Sequence, residues 1–169
     1  MAFESSITIR DVVPAEDGEA VAAIYNHYIA GTTITFEEQP IHSDEMASRI
    51  ADITQGGLPF LVAESEGDVR GYAYATKWKG RSAYRFSVEV SVYLDAAHYG
   101  KGLGSALYTE LFRRLQDMDM HTIIGGIALP NDASIALHER FGLTKIAHFR
   151  EVGFKFDRWI DVGYWERIL

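Results

Sequence analysis

The stretch RFSVEVSVYLDAAHYGKGLGS, residues 85–105, predicts a strand that leads through a glycine-rich loop into a helix. Apolar and polar side chains alternate from Phe86 to Leu94, which is the period of a strand with one buried face. From Gly102 to about Met118 leucines recur every four residues, a spacing typical of an amphipathic helix. The sequence therefore predicts a strand–loop–helix unit at the centre of a layered α/β fold.

Similar patterns predict the elements on either side of this unit. Toward the N-terminus they indicate a strand at 7–10, a helix at 15–28 after Pro14, a helix at 43–55 with Ser43 as N-cap, and a hairpin with strands at 58–64 and 71–77. Toward the C-terminus they indicate a strand at 122–129, a short helix from Asn131 to Phe141, and strands at 145–152 and 159–167. Because no linker or repeat interrupts the chain, we expect one mixed α/β domain over residues 1–169.

The composition excludes several classes of function. The 169 residues include no cysteine, which removes disulfides, thiolate nucleophiles and cysteine-bound zinc. The formal net charge of −8 argues against nonspecific binding of nucleic acid or anionic membranes. No leader or membrane-spanning run stands out, so a cytoplasmic location is expected. The six histidines show no metal-binding spacing, and no metal is expected.

The loop at 98–105 has the composition of a phosphate site. It contains three glycines before or within the predicted start of a helix, where backbone N–H groups and the helix dipole favour anions. Glycine also lets phosphate oxygens approach the main chain closely. A tight strand-to-helix connection would use the same residues, so the loop alone leaves both interpretations open. The nucleoside-triphosphate loop and the dinucleotide fingerprint both fail on the residues present.

The spacing Tyr99-x-x-Gly102-x-Gly104 resembles the acyl-CoA loop of the GNAT acetyltransferase superfamily, in which Gln or Arg usually precedes the glycines. Five further segments resemble the phosphinothricin N-acetyltransferase branch of that superfamily; they lie at 26–29, 83–93, 129–134, 137–139 and 161–165. The resemblance covers residues 7–167. It implies an N-acetyltransferase with a mixed, mostly antiparallel central sheet, flanked by helices and split between its two central strands.

The resemblance also implies acetyl-CoA as co-substrate and indicates where it binds. The implied cofactor-binding residues are Val92, Tyr93, Leu94, Tyr99, Gly100, Lys101, Gly102, Leu103, Gly104, Ser105, Asn131 and Ser134. In strand residues 92–94 the main chain would hold the pantetheine arm; the alternative is that these are simply core strand residues, and both interpretations can hold together. Asn131 and Ser134 can equally be an N-cap pair.

Two residues are candidates for catalysis. Glu89 lies in the middle of the most apolar strand, where partial burial would raise its pKa and suit it to act as the general base on a substrate ammonium. The alternative is a carboxylate on the solvated face of the sheet. The resemblance places the catalytic glutamate at Glu89. It gives His138 the role of general acid or substrate contact, against the alternative of a structural helix histidine.

The substrate is expected to be a small molecule with an amine and a second acidic or strongly polar group. The resemblance places its acidic groups near Lys79, Arg81 and Tyr84, although a charged run is more usually a solvated loop. Phe36 would form an apolar wall, or belong to the core. Arg81 in this charged segment would offer bidentate recognition of a substrate carboxylate or phosphinate.

We therefore expect direct acetylation of an amino acid analogue of the phosphinothricin, methionine sulfoximine or methionine sulfone type, in a ternary complex. Two alternatives stay open: acetylation of peptide or protein N-termini, and a non-catalytic acyl-CoA-binding module. The aromatic residues near the C-terminus, between Phe154 and Trp165, resemble the part of the branch that pairs subunits, which predicts a homodimer.

Overall fold

A computed structural model describes residues 7–169. Its strands are β1 (Thr8–Asp11), β2 (Phe60–Ser65), β3 (Asp68–Lys77), β4 (Ser87–Leu94), β5 (Thr122–Ala128), β6 (Thr144–Lys155) and β7 (Arg158–Ile168). Its α-helices are α1 (Pro14–Gly31), α2 (Ser43–Gln55), α3 (Leu103–Asp117) and α4 (Asp132–Arg140). Short 3-10 turns at Ser82–Tyr84 and Ala96–His98 precede and follow β4. No helix within residues 7–169 is long and apolar enough to cross a membrane.

The strands form one sheet in the order β1-β2-β3-β4-β5-β7-β6. Antiparallel pairing joins β1 to β2, β2 to β3, β5 to β7 and β6 to β7, whereas β4 and β5 are parallel. The β4–β5 register covers only Ser87–Glu89 against Thr122–Ile124, although both strands run further. The expected fold class, a mixed and mostly antiparallel sheet with helices and a split between its central strands, is confirmed.

One compact unit comprises residues up to Ile24 together with Ile41–Ala75 and Ser91–Leu115. The leucines predicted to face the core of the α3 helix are all buried; they are Leu103, Leu107, Leu111 and Leu115. The Arg10 guanidinium bonds both carboxylate oxygens of Asp17, and its Nε donates to Glu64 at 2.8 Å. This ion-pair cluster connects β1, α1 and β2 within the unit.

The other unit comprises Tyr25–Pro40, Thr76–Val90 and Gln116–Leu169. Its centre is β5, whose residues Ile123, Ile124 and Ile127 are buried. Trp165 on β7 is also buried, and its indole Nε1 donates to Glu139 of α4 at 3.2 Å. These contacts fix α4 and β7 around β5, which positions the candidate site described below.

Several predicted boundaries differ from the structure by one to three residues, and hydrogen bonds or strand pairing explain three of them. Ser43 is the first helical residue of α2 and His42 is its N-cap, because Met46 N–H already donates to the His42 carbonyl. The strand predicted from Arg85 begins at Ser87, because Arg85 N–H closes the preceding turn on Ser82. The strand predicted to end at 152 continues to Lys155, which pairs with Arg158 across the turn Phe156-Asp157.

Candidate active site

Glu89 lies on β4 at the last residue that pairs with β5, opposite Ile124. Its side chain is half-buried, and Oε1 lies 3.1 Å from the position that a Cβ on Gly126 would occupy. Burial raises the pKa of the Glu89 carboxyl above its ordinary value, and the positive charge of Lys79 opposes the rise. Within residues 7–169 the Glu89 carboxylate accepts no hydrogen bond. A half-buried carboxylate with this environment is suited to accept a proton.

An aromatic side chain, Tyr164, lies beside Glu89 and is packed against two further aromatic rings. Tyr164 on β7 pairs with Gly126, and its Cε1 lies 3.0 Å from the Cβ position of that glycine. The Tyr164 ring makes edge-on contacts with Trp78 and Phe149, each with a centroid distance of 5.7 Å. Burial and the negative charge of Glu89 raise the pKa of Tyr164. The phenol therefore stays protonated and can donate a hydrogen bond.

Gly126 and Tyr164 were not among the predicted site residues. The signal available in the sequence is the pair Gly125-Gly126 inside an otherwise apolar strand, since glycine in a strand interior often marks a close approach by another group. The identity of the approaching group depends on the register between β5 and β7. Sequence periodicity does not predict that register.

His138 on α4 lies against the other glycine of the pair. Its ring atoms Cδ2 and Nε2 lie 2.5 and 2.6 Å from the Cβ position of Gly125. Successive strand residues face opposite sides of a sheet, so the structure places His138 and Glu89 against opposite faces of β5. The two predicted catalytic residues are not brought together.

The local environment of His138 favours the neutral imidazole. The side chain is 4% exposed, and burial lowers its pKa. Nδ1 lies 2.7 Å from the Ser134 carbonyl oxygen, and because a carbonyl can only accept, Nδ1 carries the proton. A buried, neutral histidine is a poor proton donor at neutral pH, and its contacts favour the structural alternative.

The start of α4 has the predicted cap. Asn131 is the N-cap, and its Oδ1 accepts the Ser134 N–H at 3.1 Å. The Ser134 hydroxyl lies 3.4 Å from His138 Nδ1. The capping interpretation of these two residues is confirmed, and a contact with the cofactor stays a prediction.

The glycine loop has an open, positively polarised surface. Gly100 and Gly102 have φ values of +73° and +81°, which favour glycine, and a Cβ added at either would meet nothing within 4 Å. The α3 helix begins at Leu103, and Ala106 N–H donates to the Gly102 carbonyl at 3.0 Å. N–H groups of the first helical turn, which includes Leu103, Gly104 and Ser105, have no acceptor within a helix. The loop fits a phosphate group.

Side-chain and main-chain contacts anchor the end of the strand before the loop. Leu94 Cδ2 lies 2.7 Å from the Cβ position of Gly71 on β3, and the ring of Tyr93 stacks on Tyr72 with centroids 5.5 Å apart. Asp95 N–H donates to the Arg70 carbonyl at 2.8 Å. These contacts hold the end of β4, and hence the start of the loop, in a fixed position.

The predicted substrate residues are exposed and fall into separate contacts. Lys79 Nζ lies 4.9 Å from the Trp78 ring centroid and acts electrostatically on Glu89. Arg81 Cζ lies 5.9 Å from the ring centroid of Tyr84. Phe36 instead contacts Gly153 on β6. Within residues 7–169, no group of three or more His, Asp or Glu side chains is arranged to hold a metal ion.

Comparison with known sequences and structures identifies the class of protein. The profile of the acetyltransferase (GNAT) domain matches residues 11–163, which is most of the chain. The chain belongs to the GNAT acetyltransferase family, and the resemblance seen in its motifs is confirmed.

More specific similarity lies in one branch of the family. The chain is 42% identical to phosphinothricin N-acetyltransferase of Streptomyces viridochromogenes, over 90% of this chain and 83% of that protein. It is 36% identical to the L-methionine sulfoximine/L-methionine sulfone acetyltransferase of Salmonella typhimurium, over 94% and 92%. The crystal structure of a phosphinothricin acetyltransferase from Sinorhizobium meliloti in complex with acetyl-CoA superposes with a TM-score of 0.92 at 40% identity, covering 96% of this chain and 88% of that one.

Proposed function

We propose that this protein transfers the acetyl group of acetyl-CoA to the amine of a small amino acid analogue that carries a second acidic or strongly polar group. Phosphinothricin, methionine sulfoximine and methionine sulfone are the candidates, because the relatives named above act on them. The observation that carries the proposal is Glu89, a half-buried carboxylate with a raised pKa beside the exposed cation Lys79.

Glu89 is the proposed general base. An amino acid amine is an ammonium ion at neutral pH, and only the free amine is nucleophilic. The carboxylate takes this proton, directly or through a water molecule, and its raised pKa brings it nearer to the range in which a base works efficiently. Because the sequence has no cysteine, the usual nucleophile for an acyl-enzyme is missing, and we propose direct attack in a ternary complex.

Acetyl-CoA supplies the acetyl thioester. Main-chain N–H groups at 100–105 hold its pyrophosphate, since the loop is open and lies at the N-terminus of α3. Main-chain groups of Val92, Tyr93 and Leu94 hold the pantetheine arm, with Tyr99, Asn131 and Ser134 as further contacts. We propose that the whole chain is one acetyltransferase domain, which a single family profile over 11–163 supports. We also propose a cytoplasmic location, where acetyl-CoA is available.

His138 is proposed as a positioning residue instead of the acid. Its ring supports the backbone of β5 at Gly125, next to the residue that Glu89 and Tyr164 contact. The thiolate leaving group then takes its proton from the ammonium formed during attack or from solvent.

A panel of amines tests this function and the role of Arg81 together. Acetyl-CoA is mixed with acidic analogues, neutral amino acids, simple amines and a peptide with a free N-terminus, and thiol release is measured. We expect the acidic analogues to be the best substrates. Since Arg81 is exposed, Arg81→Ala should raise KM for them by about tenfold, which is the scale of one partly solvated charge-assisted contact, and leave simple amines unchanged.

Two variants control this experiment. Arg81→Lys should recover part of the loss, because the charge returns without the planar fork. Arg85→Ala removes a neighbouring exposed arginine whose guanidinium lies over Phe86, and should act like the parent. Faster acetylation of the peptide than of any amino acid analogue would favour the N-terminal alternative. Equal loss with every amine would exclude Arg81 from substrate recognition.

A symmetric homodimer is proposed from the apolar surface of the last two strands. Large apolar side chains are exposed on β6, β7 and the turn between them, with Trp159 at 62%; the others are Ile146, Phe149, Val152, Phe154 and Phe156. Six exposed large apolar side chains within one hairpin favour association. Light scattering at micromolar concentration should give the mass of two chains, and Trp159→Glu should shift it toward one. A monomeric parent protein would contradict the proposal.

A further inference from the structure

The loop between α1 and α2 contains Phe36 and includes no helix or strand of its own. Thr35 in this loop is nevertheless buried. The Thr35 hydroxyl lies 2.7 Å from the Tyr25 hydroxyl of α1, and the Tyr25 hydroxyl also donates to the Glu37 carboxylate. The side chain of Thr35 is therefore fixed from one side, by the helix that precedes the loop.

The main chain of the loop is fixed by a lysine from a distant part of the sequence. Lys155, the last residue of β6, is 1% exposed, and its Nζ donates to the Thr35 carbonyl at 2.9 Å. Burial lowers the pKa of Lys155, while the negative charges of Glu38 and Glu37 oppose that change. Its ammonium also lies 5.1 Å from the Phe156 ring centroid. Burying an ammonium costs free energy. The buried bond between Lys155 and the Thr35 carbonyl therefore calls for a functional explanation.

The same face of β6 also supports the Phe36 ring. Gly153 and Lys155 are two residues apart and are the only buried residues of β6 within the described chain. A Cβ on Gly153 would lie 2.4 to 3.0 Å from three ring carbons of Phe36, so this ring lies directly on the glycine backbone. Phe36 remains 40% exposed, which leaves part of the ring available for contact with a ligand.

We propose that Lys155 is a positioning residue for the substrate site: its ammonium holds the Thr35 carbonyl and thereby keeps Phe36 on Gly153, where the ring forms the apolar wall for the substrate. This inference rests on the proposed function, since Phe36 has a wall to form only if an amino acid analogue binds. Lys155 touches neither substrate nor cofactor in this role, and it acts through the loop.

Amide hydrogen exchange tests the first half of the proposal without any activity measurement. In Lys155→Met, which keeps an unbranched apolar side chain as far as Cε but removes the ammonium, we expect exchange in the segment 32–38 to accelerate by about tenfold or more, because a charge-assisted hydrogen bond is lost. Lys145→Met changes an exposed lysine on the same strand and should leave exchange in this segment unchanged. Unchanged exchange in Lys155→Met would overturn the proposal.

Steady-state kinetics test the second half of the proposal, that Phe36 forms a wall for the substrate. Lys155→Met should raise KM for phosphinothricin by roughly tenfold, with kcat within about threefold and the Kd of acetyl-CoA unchanged, because only a substrate contact is displaced. Phe36→Ala should have a similar effect. The double variant should be no worse than Phe36→Ala alone, since Lys155 acts through that ring. Additive losses in the double variant, or a loss confined to kcat, would overturn the proposal.

Gly153→Ala provides an independent variant that leaves Lys155 intact. Its methyl group would occupy the position of the Phe36 ring and should raise KM in the same way. A parent-like KM in a folded Gly153→Ala protein would overturn the proposal. If the parent protein acetylates none of the analogues, the proposed function fails, whereas the exchange experiment still decides whether Lys155 holds the loop.

Discussion

The Glu89→Gln variant is expected to have a kcat lower than that of the parent by about a hundredfold or more, the usual cost of losing a general base. Glutamine has nearly the same shape as glutamate but does not accept the ammonium proton. The glycine loop is unchanged, so acetyl-CoA should bind with the parent Kd. The comparison requires kcat at saturating substrate and calorimetry with acetyl-CoA. A parent-like kcat near neutral pH would remove Glu89 from the role of base.

The pH profile of kcat/KM is a second test of Glu89 as the general base. Burial raises the pKa of Glu89, so the parent kcat/KM should fall as the pH drops through this raised value, because a protonated carboxyl accepts no proton. Glu89→Gln should lack that acidic limb. Glu64→Gln is the matched control, because Glu64 is also half-buried on a strand but is ion-paired with Arg10 and stands outside the site. It should retain the rate and the profile of the parent.

The Glu89→Gln substitution should lower activity without lowering the stability of the fold. A carboxyl whose pKa is higher in the folded than in the unfolded state binds its proton more tightly when the protein is folded. It therefore contributes stability at pH values below its unfolded pKa, and this contribution is lost as the pH rises through its folded pKa. Above its folded pKa the ionised Glu89 therefore opposes folding, and Glu89→Gln should there have a Tm no lower than that of the parent. Loss of rate with retained Tm is typical of a catalytic group.

The sequence was sufficient for the elements that rest on local patterns. The leucine spacing predicted α3 to within one residue at each end, and the hairpin predicted from strands at 58–64 and 71–77 is the β2–β3 hairpin. The turn Phe156-Asp157 was missed because both residues adopt positive φ without a glycine to indicate it. The predicted end of β6 was consequently short, and Lys155 was not recognised as a buried residue of that strand.

Contacts between distant segments could not be predicted from the sequence, for a different reason. Periodicity predicts that Glu89 and Tyr164 each face one side of a strand, but it does not tell which residue of β7 lies beside which residue of β5. That register brings Tyr164 to Gly126 and so to Glu89. The position of His138 depends likewise on how α4 packs against β5. The family resemblance implied a general acid or a substrate contact at His138 and did not give the neutral, buried state of the ring.

The Gly102→Val variant is the second large effect that we expect. Gly102 has a φ of +81°, a conformation that a β-branched residue adopts only at a cost of roughly 1–3 kcal/mol. The loop should therefore move away from its open conformation, in which we propose that its N–H groups bind the pyrophosphate. We expect the Kd for acetyl-CoA to increase by about thirtyfold or more, corresponding to about 2 kcal/mol of lost binding. Calorimetry measures this directly.

A matched control separates strain from binding. Gly57, in the turn between α2 and β2, is also exposed, also has a φ of +81°, and also has no atom within 4 Å of its Cβ position. Gly57→Val should therefore lower the Tm about as much as Gly102→Val, yet bind acetyl-CoA with the parent Kd. If the two variants lose equal affinity, weaker binding reflects general destabilisation. If Gly102→Val binds as the parent does, the pyrophosphate is held elsewhere. Only loss at Gly102 without loss at Gly57 assigns the cradle to this loop.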